Sequence, residues 1–135
     1  MCKSCCQLKT SMFIVLMFSL SACFGSPERN TGIVNPPAHQ RITAERAYQM
    51  MLELNEFILL DVRTEAEFRE RHIAGAILIP VDELEARAQA ELLDKNIVIL
   101  VYCRTGVRSE NAAVILAGMG YSQVFNMGGI VDWRW

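Results

Sequence analysis

The sequence predicts an α/β domain: a central, mostly parallel sheet flanked by helices on both faces. Two observations carry this. Short uncharged runs of strand length alternate along the chain with segments whose apolar residues recur at helical spacing. The strand-like runs are apolar without alternation, the pattern of strands covered on both faces. At 135 residues the chain has room for one domain of ordinary size.

The elements follow in order. Thr43 can cap a helix over 44–54, where Ala47, Met50, Met51 and Leu54 form a 3.6-residue stripe. Residues 57–61, Phe-Ile-Leu-Leu-Asp, read as a buried strand. Thr64 and Glu67 make a Thr-x-x-Glu capping box for a short helix. Residues 76–79 form a second short strand, stopped by Pro80. A helix over 82–93 carries Leu84, Ala88 and Leu92 at helical spacing. Residues 97–102, Ile-Val-Ile-Leu-Val-Tyr, are the strongest strand in the chain. Ser109 can cap the next helix, with Ala112, Ala113, Leu116 and Ala117 on its buried stripe and Gly118 and Gly120 as positive-φ stops. A last strand over 123–127 leads to Gly128-Gly129 and a final helical turn ending in Trp133 and Trp135.

The N-terminal stretch is of a different kind. Lys3 and Lys9 give a basic start, and 12–22 are apolar or small without a polar face. That run is too short for the roughly 20 helical residues that cross a bilayer, and it suits the apolar region of a signal peptide. The alternative, a buried N-terminal helix, sits poorly with the breakers that follow. Leu20-Ser21-Ala22-Cys23 resembles a bacterial lipobox, in which the cysteine is acylated and becomes the mature N-terminus. Residues 1–22 are thus expected to be a lipoprotein signal peptide. Residues 23–41, with Pro27, Gly32, Pro36 and Pro37, are expected to be a lipidated start and flexible tether, and 42–135 the domain. The acyl chains on Cys23 would enter a lipid bilayer, each CH₂ contributing about 0.8 kcal/mol. Phe24 follows the cysteine where an inner-membrane retention signal would have aspartate, so the periplasmic face of the outer membrane is the preferred destination.

Cysteine usage then separates. Cys2, Cys5 and Cys6 fall in the expected signal peptide, and their Cys-x-x-Cys-Cys spacing lacks a second ligand cluster for a metal site. With Cys23 acylated, Cys103 is the one thiol of the mature chain. No metal or organic cofactor is expected. From Cys23 onward there are 11 Lys and Arg against 15 Asp and Glu, a formal net charge of −4, and no basic patch to suit nucleic acid.

Cys103 closes the strongest strand and opens Cys103-Arg104-Thr105-Gly106-Val107-Arg108-Ser109, just before a helix. Parallel sheets place ligand sites at the carboxyl ends of their strands. A turn there can point successive N–H groups into one cavity, and the helix N-terminus adds its donors and dipole. Gly106 supplies backbone freedom, and Arg104 and Arg108 bring positive charge to the rim. A cysteine at the base of that cradle favours the thiolate, a nucleophile that needs no general base. Neither histidine is near in sequence: His39 falls in the tether, and His72 reads as a positioning or surface residue. The bland alternative is an inert buried cysteine before an ordinary basic turn.

These residues resemble the rhodanese family. The likeness runs through Asp61-Val62-Arg63, Glu67-Phe68, His72-Ile73-x-Gly75-Ala76, Ile79-Pro80, the Cys103–Ser109 loop, and Gly128-Gly129 followed by Trp133. The most similar members are small single-domain periplasmic thiosulfate sulfurtransferases. The resemblance implies that Cys103 takes sulfane sulfur from thiosulfate or another donor as a persulfide, then passes it to cyanide, a thiol or a protein acceptor. It implies that Arg104 and Arg108 favour the anionic donor, that Asp61 supports the loop from below, and that Arg63 forms an ion pair in the scaffold. Related phosphatases resemble a Cys-x₅-Arg pattern, whereas Arg108 gives Cys-x₄-Arg, a tighter ring suited to a terminal sulfur. Arg71 stands where the family commonly has glycine, and Thr105 where serine is frequent. The chain ends at Trp135, so only a minimal last helix is expected. A non-catalytic sulfur-carrier or binding module at the membrane is the alternative function.

Overall fold

A computed structural model describes residues 39–135. The expected signal peptide, Cys23 and all but the last three residues of the expected tether lie outside the described residues.

Five parallel strands make the sheet, β1 (His39–Arg41), β2 (Ile58–Asp61), β3 (Ile77–Leu78), β4 (Ile99–Cys103) and β5 (Val124–Gly129), in the order β1-β5-β4-β2-β3. Four helices connect them: α1 (Ala44–Glu53), α2 (Glu65–Glu70), α3 (Leu84–Glu91) and α4 (Val107–Gly118). The expected α/β class and two-sided cover are what the chain adopts.

Each face of the sheet has its own core, because alternate strand residues point to opposite sides. On one face Leu60, Ile99, Val101 and Val124 pack with Leu84, Ala88 and Leu92 around α3 and with Ala112, Ala113 and Leu116 of α4. On the other, Leu59, Leu100, Tyr102 and Met127 pack with Ala47 and Met50 of α1 and with Ile73, Ile130 and Trp133. Every residue of β4 is buried, which explains the unbroken apolar run in the sequence. β4 therefore lies at the centre, and its carboxyl end carries Cys103.

Local chemistry sets the helix starts. Thr43 Oγ1 accepts from the Arg46 N–H at 3.1 Å. The Thr64 capping box forms, with Thr64 Oγ1 accepting from Glu67 N–H and Glu67 Oε2 accepting from Thr64 N–H at 3.1 Å.

Four expectations are corrected. The sheet begins before Ile42: His39–Arg41 form β1, paired with β5 in the register His39↔Val124 to Arg41↔Asn126. Ser109 does not cap α4; the helix starts at Val107, and Gly106 is its N-cap at φ +100°. Gly118 is the last residue of α4, and of the two expected stops only Gly120 has positive φ. The helix expected from Asp82 begins with a 3₁₀ turn at Val81–Glu83, and its α-helical part starts at Leu84.

Candidate active site

Cys103 is the last residue of β4 and is only 1% exposed. Its Sγ accepts from the Gly106 N–H at 3.1 Å. The loop can close this tightly because Gly106 takes a left-handed conformation that a side chain would strain. A second glycine is required for a different reason. β5 ends against the loop, so a Cβ on Gly129 would lie 2.5 Å from Arg104 O and 2.8 Å from Thr105 Cα. The Cys103↔Gly129 pairing follows a register shift in the β4–β5 ladder, which brings these backbones together.

Burial pushes the Cys103 thiol up. The Ser109 hydroxyl and the N–H groups of Ser109, Gly106 and Thr105 act against it and hold the thiol below its ordinary range. Ser109 is fully buried at this point. Its Oγ lies 2.8 Å from Asn126 Oδ1 and 3.1 Å from Gly106 O. This burial is why Ser109 sits inside α4 and not at its cap.

The two loop arginines differ. Arg108 is held by Glu67 of α2 through two parallel bonds, Nη1 to Oε2 at 2.7 Å and Nη2 to Oε1 at 2.8 Å. The Arg108 guanidinium lowers the Glu67 carboxyl to about 2, and Glu67 in turn raises the pKa of Arg108. Arg104 is exposed and forms no ion pair among the described residues. Thr105 and Val107 are exposed as well, leaving the crest of the loop open.

Asp61 and Arg63 form a buried pair, with Arg63 Nη2 donating to Asp61 Oδ2 at 2.7 Å. Arg63 Nη2 also donates to the Arg71 carbonyl at 2.6 Å, and its guanidinium lies 5.7 Å from the Tyr102 ring centroid. The expected ion pair of Arg63 is therefore present. The Asp61 carboxylate makes no hydrogen bond to Cys103–Ser109; its partner is Arg63, and it lies beside Tyr102, the residue before Cys103.

Of the histidines, His72 donates from Nδ1 to Phe68 O at 2.9 Å and stacks on the Phe68 ring at 3.9 Å. His39 is not in a tether; it stands in β1 with Nε2 3.2 Å from Glu110 Oε1. Two cavities flank the loop. One, of about 230 Å³, is lined by Arg63, Glu67, Arg71, Arg104 and Val131; the other, of about 460 Å³, by Arg41, Thr105, Gly106, Val107 and Val114.

Asn126, Glu110 and Arg41, which lie around the loop, carry no local sequence signal of that placement. Glu67 is marked in the sequence by the Thr-x-x-Glu capping box and by the Glu67-Phe68 pair of the family resemblance, neither of which points to its bond with Arg108.

The site is a buried cysteine in an N–H-lined loop between a central parallel strand and a helix, and the comparisons assign the chain accordingly. Residues 43–134 match the Rhodanese-like domain family, and the chain belongs to it. It is 41% identical over 73 residues to the "Thiosulfate sulfurtransferase PspE" of Escherichia coli, covering 54% of this chain and 70% of that protein. It is 34% identical over 93 residues to a "Sulfurtransferase" of Allochromatium vinosum, covering 68% and 85% respectively. A solved structure described as "rhodanese with anions from E. coli" superposes with a TM-score of 0.55 at 39% identity, covering 57% of this chain and 91% of that one. Sulfurtransferase activity is thus supported at the level of the family.

Proposed function

We propose that this chain is a thiosulfate sulfurtransferase that works through a persulfide on Cys103. The observation that carries the reading is the Gly106 N–H aimed at Cys103 Sγ at 3.1 Å, inside a loop whose donors favour the thiolate.

The Cys103 thiolate attacks the outer sulfur of thiosulfate. The S–S bond of the donor breaks, and sulfite leaves with its electron pair. The loop N–H groups hold the sulfur as charge shifts along it, and Arg104 draws the dianionic donor to the open crest. Cyanide, or another thiophile such as a thiol, then attacks the terminal sulfur of the persulfide. That bond breaks, and Cys103 returns as thiolate. No base is needed in either step, and both histidines have other partners, His39 at Glu110 and His72 at the Phe68 carbonyl. The Cys-x₄-Arg ring, with Arg108 tied to Glu67, favours a terminal sulfur over a phosphoryl group.

The same proposal places the protein in the bacterial cell envelope. Cleavage before Cys23 and acylation of that residue would hold the domain on the periplasmic side, with the outer membrane preferred.

The test is a turnover assay with thiosulfate and cyanide, read as thiocyanate formed. Wild type is expected to form it catalytically and Cys103→Ser to form none. A persulfide that accumulates but discharges neither to cyanide nor to small thiols would favour a carrier module instead.

A further inference from the structure

The cavity of about 230 Å³ on the Arg104 side of the loop is framed by three segments of the chain. The end of α2 contributes Glu67, Glu70 and Arg71, the loop contributes Arg104, and Ile130 and Val131 follow from β5. The protein itself ties these walls together. The Arg71 carbonyl accepts from buried Arg63 Nη2 at 2.6 Å, and Arg71 Nη2 reaches the Trp133 carbonyl in a long bond of 3.5 Å. Val131 N–H donates to Arg104 O at 3.4 Å, and Glu67 is bound to Arg108 of α4.

The charges of this lining fall into two groups. Arg63 is paired with Asp61, and Glu67 with Arg108, so those guanidinium forks already hold carboxylates. Arg71 and Arg104 are exposed and form no ion pair among the described residues. Against them stands Glu70, the one lining carboxylate without a cation partner among the described residues. Two guanidiniums from different walls therefore outweigh one acid, and Ile130 and Val131 add an apolar side. A guanidinium presents its N–H groups as a planar fork that fits the oxygens of an oxyanion.

We infer that Arg71 and Arg104 together form the subsite for the SO₃ group of a thiosulfate-type donor, with Arg71 a specificity-determining residue. The identity of the anion rests on the sulfurtransferase reading; the positive cavity does not. Arg104 directly follows Cys103, so a donor held there has its outer sulfur on the side of the nucleophile. When that sulfur bonds to Cys103 and the donor S–S bond breaks, sulfite keeps the electron pair and the same three oxygens, and it leaves from the same two guanidiniums. The partner of Arg104 in holding the donor is thus Arg71 of the α2 end, whereas Arg108 is engaged by Glu67.

The test compares two alkylating agents of similar size on Cys103 of the full chain, iodoacetate, an anion, and iodoacetamide, which is uncharged. Both lose iodide to the thiolate, so the ratio of their rates cancels any change in thiol ionisation. Arg71→Gln is expected to lower the iodoacetate-to-iodoacetamide ratio about two- to fivefold, the range of one partly solvated ionic contact. Glu70→Gln, which removes the opposing acid, is expected to raise it. Arg69→Gln, on α2 but outside the cavity lining and paired with Glu65, is expected to leave it unchanged. An unchanged ratio in Arg71→Gln or in Glu70→Gln overturns the inference. So does an equal fall in Arg69→Gln, which would mark net charge and not the cavity. Persulfide formation from thiosulfate is measured separately, and Arg71→Gln should slow it by a similar factor. Formation at the wild-type rate in Arg71→Gln sinks the subsite while the sulfurtransferase reading stands. No persulfide in wild type sinks that reading, and with it the assignment of the anion.

Discussion

Arg108 and Glu67 are joined by two parallel hydrogen bonds of 2.7 and 2.8 Å across the space between α4 and α2. The pair ties the Cys103 loop to a helix 41 residues earlier in the chain and gives the Arg108 guanidinium a carboxylate partner within the protein. Glu67 thereby serves two structures, since the same carboxylate completes the Thr64 capping box.

Breaking that pair has a stability signature in acid. The Arg108 guanidinium depresses the folded-state carboxyl of Glu67 to about 2, from an ordinary value of 4.5. A depressed acid stabilises the fold above its unfolded-state value and loses that contribution as pH falls through the folded-state one. The window is therefore between about 4.5 and 2. Glu67→Gln is expected to lower stability by about 1 kcal/mol at neutral pH, an allowance for a bidentate pair partly open to solvent. In urea titrations the gap from wild type should close as pH approaches 2.

The two loop arginines should separate in kinetics. Arg104 is exposed and without an ion pair among the described residues, so Arg104→Ala should raise KM for thiosulfate with little change in thermal stability. Arg108→Ala should lower the melting temperature as well, because it strands Glu67. Equal losses of stability in both variants would contradict this division.

Ser109→Ala removes the side-chain donor that most favours the Cys103 thiolate. Its alkylation profile should shift to higher pH, since more of the thiol then remains protonated at any given pH. Wild type should approach its plateau at a pH where an ordinary cysteine is still mostly protonated. Iodoacetamide rates across a pH series provide the check.

Gly129→Ala should be costly without touching any reactive group. The new Cβ would meet Arg104 O and Thr105 Cα, both backbone atoms that cannot turn aside. Overpacking of this kind costs about 1–3 kcal/mol. The loop should also be displaced, seen as slower Cys103 alkylation together with a lower urea midpoint.

Membrane attachment is tested apart from the chemistry. Cys23→Ser should abolish acylation and move the protein from membrane to soluble fractions, leaving sulfur transfer intact. Unchanged fractionation would refute the lipid anchor.

Much of the scaffold was legible because its signals are local. The apolar run ending at Tyr102, the Thr64–Glu67 box and the glycine at 106 each mark their own structure within a few residues. The β1 strand was not legible: His-Gln-Arg has no apolar alternation, and only its pairing with β5 makes it a strand. Ser109 misled because serine before a helical stripe is a common cap, whereas here Gly106 turns the chain earlier and draws the hydroxyl inward. The partners Glu67–Arg108, Ser109–Asn126 and His39–Glu110 are 41, 17 and 71 residues apart, and no local pattern announces them.

The most direct test of the central claim is the intact mass of the protein after exposure to thiosulfate. A gain of about 32 Da confined to Cys103, reversed by cyanide, is the expected signature of the persulfide intermediate. No gain on Cys103 from thiosulfate or from any other sulfane-sulfur donor would contradict it.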